Sequence, residues 1–179
     1  LRLMLPRITQ NQTTPENHSQ HVCAYSGTRK TILVIDNEPH QQQLLKDVLT
    51  PLGFIVLLAE NEKKAFSQLE SHHIDLITLD VKLSNASGWD LLSTLRMDNW
   101  LMPVLMVSAN ARELEQYTAH TKLHNGYISK PFNLDNLFNQ IGQLLALNWE
   151  YSPDKTESIT QIEKQQRTPV TSDHYRELI

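Results

Sequence analysis

Four residues, each closing a short apolar run, carry the side chains from which chemistry can be read. The run Asp75-Leu76-Ile77-Thr78-Leu79-Asp80 ends on an acid, and so does Thr31-Ile32-Leu33-Val34-Ile35-Asp36. Pro103-Val104-Leu105-Met106-Val107 gives way to Ser108, and Gly126-Tyr127-Ile128-Ser129 gives way to Lys130. Two carboxylates make a hard-oxygen site of the kind that suits Mg²⁺, which takes a few acids and keeps several waters. A hydroxyl and an ammonium beside them would bind phosphoryl oxygens. The cation and Lys130 together would offset the charge that develops when an aspartate is phosphorylated. Each residue taken singly has a plainer role: Asp80 and Ser108 as strand-end turn residues, Lys130 as a surface cation. All four types in this order are far less expected by accident.

The elements that must bring them together follow from the pattern around them. Short apolar runs without alternation read as strands buried on both faces of a parallel sheet. The carboxyl ends of such strands are where open α/β sheets bind ligands. Pro39 suits a first helical turn, Leu44, Leu45, Val48, Leu49 and Leu52 recur at helical spacing, and Gly53 closes that helix. Residues 54–59 form the next strand, and Asn61 caps a helix with Ala65, Phe66 and Leu69 on its apolar face. After Gly88 a short helix carries Leu91, Leu92 and Leu95. Residues 111–123 form a helix with a weak stripe, Leu114 and Tyr117, and should be the least firmly packed. Asn133 caps a last helix bearing Leu134, Leu137, Phe138, Ile141, Leu144 and Leu145. Strand and helix alternating in this way imply one α/β domain, a three-layer sandwich with a parallel sheet in the middle, spanning 30–148.

The margins differ in character. Residues 9–29 and 152–172 are polar and aperiodic, the latter with Pro153 and Pro169, and read as linkers. The expected division is therefore 1–29 as the tail of a preceding domain plus linker, 30–148 as the domain, and 149–179 as linker and the start of another helix. That helix, 172–179, is too short to fold alone. His18, His21 and Cys23 are too few and too loosely placed to argue for a metal.

A chain of 179 residues with 40% hydrophobic content has room for one cored domain with flanks. A mean hydropathy of -0.40 agrees with polar margins. The net charge of -4, with no basic stripe, excludes a nucleic-acid footprint. A single cysteine excludes an internal disulfide and fits a reducing, cytoplasmic setting. No apolar run reaches the roughly 18–20 residues that span a bilayer, so no membrane contact is expected of this stretch. Leu1–Leu5 is too short for a signal core, and the missing initial Met suggests a piece of a longer protein.

From Lys30 to about Leu147 the chain resembles the receiver domain of two-component response regulators. The resemblance rests on ILVIDNEP (32–39), DLITLD (75–80), GWDLL (88–92), PVLMVSANA (103–111) and GYISKPF (126–132). It implies a flavodoxin-like, CheY-like fold with five parallel strands in the order 2-1-3-4-5. It implies a phosphoacceptor at Asp80, assisted by Ser108 and Lys130, that takes a phosphoryl group from a histidine kinase. By position Asp36, Asn37, Asp80 and the backbone carbonyl of Lys82 would hold Mg²⁺. Ser108 corresponds to the switch hydroxyl, Tyr127 to the switch aromatic, and the Lys130–Pro131 bond is typically cis in the family. Two departures stand out: Asn37 replaces the usual second acid of the first strand, and Ser84 replaces a proline four residues past the phosphoacceptor. The first bears on metal affinity, the second on a loop.

The opening LRLMLPRI is similar to the last strand of the ATP-binding domain of sensor histidine kinases, which a linker and a receiver often follow. A hybrid sensor histidine kinase is therefore the expected parent, membrane-anchored or not, with a stand-alone response regulator as the alternative. The stretch itself has no ATP-binding or phosphohistidine domain and is not read as a kinase. The implied partners are a histidine kinase domain, a histidine phosphotransfer domain, and a second copy through the face of the fourth helix, fifth strand and fifth helix. A degenerate receiver working by protein contacts without phosphorylation is a further alternative, supported by Asn37. An aspartate-nucleophile phosphatase of the haloacid dehalogenase type is excluded. It needs an Asp two residues past the nucleophile, where Glu38 and Lys82 stand.

Overall fold

A computed structural model describes residues 21–84, 87–109 and 123–152. In chain order the elements are β1 (His21–Ser26), β2 (Thr31–Ile35), α1 (Pro39–Leu49), β3 (Ile55–Ala59), α2 (Glu62–Ser71), β4 (Leu76–Asp80), α3 (Gly88–Met97), β5 (Val104–Ser108), β6 (Gly126–Ser129), α4 (Leu134–Leu145) and β7 (Asn148–Ser152). Five of the strands make one sheet in the order β3-β2-β4-β5-β6, all parallel. Counted from β2, that is the expected 2-1-3-4-5 order of a flavodoxin-like sheet.

The continuous apolar runs are explained by burial on both faces. Successive residues of a strand point to opposite sides, so Ile32 and Val34 join one core while Leu33 and Ile35 join the other. The first core is closed by Leu45, Val48 and Leu49 of α1 and by Leu134, Leu137, Phe138 and Ile141 of α4. The second is closed by Ala65 and Leu69 of α2 and by Leu91, Leu92 and Leu95 of α3. The sheet is therefore the middle of three layers. Helix starts follow the caps read from sequence: Asn61 Oδ1 accepts from Lys64 N at 2.9 Å, and Asn133 Oδ1 from Asp135 N at 2.7 Å. Gly53 does sit past the end of α1, with φ of 103°, in the turn that leads into β3.

The linker reading fails at both inner margins. Residues 21–26 and 148–152 are strands, paired antiparallel from His21↔Ser152 to Ser26↔Asn148, with an irregularity between Val22 and Ala24. Neither stretch betrays itself in sequence. The irregularity breaks the two-residue alternation of β1, and the residues that cover the ribbon, Phe54 and Phe138, lie far away in the chain. Regular structure accordingly reaches beyond the expected 30–148, from His21 to Ser152. The strand-like Leu1–Leu5, the helix expected at 111–123 for all but its last residue, and the helix expected at 172–179 lie outside the described residues. Among the described residues no helix is long and apolar enough to cross a membrane.

Candidate functional site

The four strand ends named from sequence meet at one edge of the sheet. β2 delivers Asp36, β4 ends on Asp80, β5 ends on Ser108, and β6 runs into Lys130. Lys130 binds both acids, Nζ lying 2.9 Å from Asp36 Oδ2 and 2.8 Å from Asp80 Oδ2. The remaining carboxylate oxygens accept from backbone: Asp36 Oδ1 from Glu38 N at 2.8 Å, and Asp80 Oδ1 from Lys82 N at 3.1 Å. Both acids are thus gripped at both oxygens by groups set by the fold. Lys130 is itself held at the backbone, its N–H donating to Ser108 O at 2.6 Å, and the Lys130–Pro131 bond is cis.

Burial is what gives this triad its electrostatic character. The side chains of Asp36, Asp80 and Lys130 are only 4%, 8% and 15% exposed. Loss of water pushes the Asp36 carboxyl above its ordinary value, against the pull of Lys130 and the Glu38 N–H. Burial by itself would lower the Lys130 ammonium. The hydrogen bonds that it donates to Asp80 and Asp36 override it and hold the ammonium above its usual range. Asp80 and Lys130 of this triad line a cleft of about 500 Å³.

That cleft is lined by Asn37, Glu38, Gln41, Asp80, Lys82, Leu83, Ala109, Lys130, Pro131 and Phe132. Asp36 lies behind it, and Asn37 and Glu38 form its wall. Ser108 is buried, one residue from the lining Ala109, and Tyr127 is half-buried on β6 against the second core. Of the sequence-named residues, Asp80, Asn37, Lys82 and Lys130 face one cavity. Asp36 joins them through Lys130, while Ser108 and Tyr127 stand one layer removed. A hard divalent cation fits the oxygen donors among the lining residues, the Asp80 carboxylate and the Asn37 amide oxygen. Among the described residues no three His, Cys, Asp or Glu side chains converge as a metal site by themselves.

Two supporting residues escaped the sequence reading. Gln42 reaches back from the first turns of α1, Nε2 donating to Asp36 O at 2.5 Å, and nothing marks it within the run Gln41-Gln42-Gln43. Gly88, which the sequence marks only as the start of a helix, has a steric role. A Cβ there would stand 2.1 Å from Asp80 O and 3.0 Å from Val81 Cα. The missing side chain lets α3 begin directly against the end of β4, with Gly88 N donating to Val81 O at 2.8 Å.

Comparison with known proteins agrees with this geometry. The family model of the response regulator receiver domain matches residues 32–142, more than half of the chain. The transcriptional regulatory protein TcrA of Mycobacterium tuberculosis is 32% identical over 119 residues, covering 66% of this chain and 46% of TcrA. The sensor histidine kinase RcsC of Escherichia coli is 34% identical over 104 residues, covering 58% of this chain and 11% of RcsC. The chain thus spans about half the length of one curated relative and about a ninth of the other. Among solved structures, the response regulator TrrA of Thermotoga maritima in complex with Mg²⁺ and BeF superposes with a TM-score of 0.59 at 28% identity. That match covers 65% of this chain and 99% of TrrA.

Proposed function

The chain belongs to the response regulator receiver family of two-component signalling, and on that premise we propose that Asp80 accepts a phosphoryl group from a histidine kinase in a Mg²⁺-dependent reaction. The observation that carries the reading is Lys130, which bridges Asp36 and Asp80 and lines the cleft together with Asp80. A carboxylate oxygen of Asp80 forms the new O–P bond as the P–N bond of the donor phosphohistidine breaks. The electron pair returns to the imidazole, which takes up a proton from water. Lys130 turns a donor toward a phosphoryl oxygen, and the Lys82 N–H holds the other carboxylate oxygen in place. Asp80, Asn37 and the Lys82 carbonyl, with Asp36 behind them, are the residues that would hold Mg²⁺. When bound, it supplies positive charge against the transferring phosphoryl oxygens. The TrrA complex with Mg²⁺ and BeF supports carrying that cation over to this chain.

In this reading Ser108 moves toward the phosphoryl group and Tyr127 turns inward, shifting the population between two packings of β6 and α4. That face is the one offered to partners: a histidine kinase domain, a histidine phosphotransfer domain, or a second copy of the chain. A hybrid sensor histidine kinase is the parent that the likeness to RcsC supports, and reading the coding sequence on both sides of residues 1–179 decides it. The test of the phosphoacceptor is direct. Incubation with acetyl phosphate and Mg²⁺ should raise the intact mass by one phosphoryl group, and Asp80→Asn should abolish the rise. An unchanged wild-type mass at high Mg²⁺ would replace this reading with a receiver that acts through protein contacts alone.

A further inference from the structure

We propose that the β1–β7 ribbon is a tie that seats the chain entering and leaving the domain, as one unit, on α4 at the end remote from Asp80. A two-stranded ribbon is marginal in water by itself, so this one needs a seat, and the seat is aromatic. The Tyr25 ring lies 4.6 Å from that of Phe54. Trp149 meets Tyr25 and Phe54 edge-on at 6.1 and 6.2 Å and stands 6.0 Å from Phe138 of α4. The indole also lies against Gly142, where an added Cβ would fall 2.4 Å from its Nε1. Tyr25 OH accepts from Lys30 N at 2.8 Å, and Arg29 Nε donates to Gly53 O at 2.8 Å, fixing β1 to the starts of β2 and β3. The start of β2 is the far end of the strand that delivers Asp36 to the site.

The consequence is positional. Because His21 pairs with Ser152, the described chain enters and leaves this ribbon at adjacent points. A displacement of α4 reaches both flanks at once through Trp149. This goes beyond the proposed function and does not require Asp80 to be phosphorylated.

Hydrogen exchange on the whole 179-residue chain tests it, with wild type, Trp149→Ala and Gly142→Ala compared. The tie predicts that β1 and β7 are protected together in the wild type. It predicts that both strands lose protection by a common factor of about tenfold or more in each variant, while β2 and β4 keep theirs. Alanine at 142 favours the helix by propensity, so loosening there reports the ribbon and not a weakened α4. If Trp149→Ala unfolds the chain, Gly142→Ala decides. Unprotected β1 amides in the wild type, or β7 loosening while β1 stays protected, or no loosening in Gly142→Ala, would overturn the tie.

Discussion

Replacing Lys130 by methionine keeps the length of the side chain and removes its charge, and the geometry of the triad sets the expected cost. Two hydrogen bonds to carboxylates, at 2.9 and 2.8 Å, are lost together, and hydrogen bonds to charged groups are each worth about 1.5–3 kcal/mol. Breaking a buried pair by removing one partner costs about 3–5 kcal/mol, because the surviving charge is left uncompensated. Lys130 is 15% exposed at an open cleft, so water recovers part of this. The low end, about 3 kcal/mol at pH 7.5, is the expected value. The loss must also depend on pH with a definite sign. Burial already raises the folded Asp36 carboxyl above 3.8, and Lys130 opposes that rise. Without Lys130 it rises further. A group with a raised folded value contributes its stability below the unfolded value and loses it as pH rises through the folded one. The deficit of Lys130→Met should therefore shrink between pH 7.5 and pH 5. Urea unfolding followed by tryptophan fluorescence, without divalent cations, reads this directly. With a slope of roughly 1–3 kcal/mol per molar, the midpoint should fall by about 1–2 M at pH 7.5 and by less at pH 5. A deficit below about 1 kcal/mol, or one equal at both pH values, would refute the view that Lys130 exists to neutralise two buried acids.

Gly88→Ala forces α3 away from the end of β4. The overlap at 2.1 Å is with backbone, so a loss of about 3 kcal/mol or more is expected in the same unfolding assay, and a loss under about 1 kcal/mol would mean that α3 shifts freely. At the other end of the sheet, Asp75 accepts from Thr31 N at 2.8 Å and Lys30 Nζ at 3.0 Å. Burial there raises its carboxyl, but the Thr31 N–H and Lys30 outweigh it and hold it below 3.8. Asp75→Asn should cost about 1 kcal/mol at pH 7, given partial solvent screening. That deficit should vanish as pH falls below 3.8 through the depressed folded value, and acid unfolding curves that never converge would count against it. Asn37→Asp adds an anion to the cleft wall and should tighten Mg²⁺ binding severalfold, read by fluorescence of the nearby Trp89. An unchanged affinity would show that position 37 does not face the cation.

The site's membership was legible in sequence because parallel strands buried on both faces must be short continuous apolar runs. The residue that follows each run then emerges at the same sheet edge. Asp36, Asp80, Ser108 and Lys130 could be placed together on that ground alone, and Asn61 and Asn133 declared their helices because an amide oxygen beside free N–H groups has little other use. What needed the tertiary structure were matters of rotation and of distant partners. Which of Asp36 and Asn37 faces the cleft depends on how the chain turns off β2, and Lys130 and the Glu38 N–H settle it by claiming Asp36. Gly88 shows its purpose only against the Asp80 carbonyl that it must approach. The ribbon was invisible for the same reason. His21–Ser26 has no periodicity of its own. Its partner strand and its aromatic seat come from distant residues, His21 pairing with Ser152 at the far end of the domain, and a local pattern cannot encode a surface that exists only once those residues have been brought together.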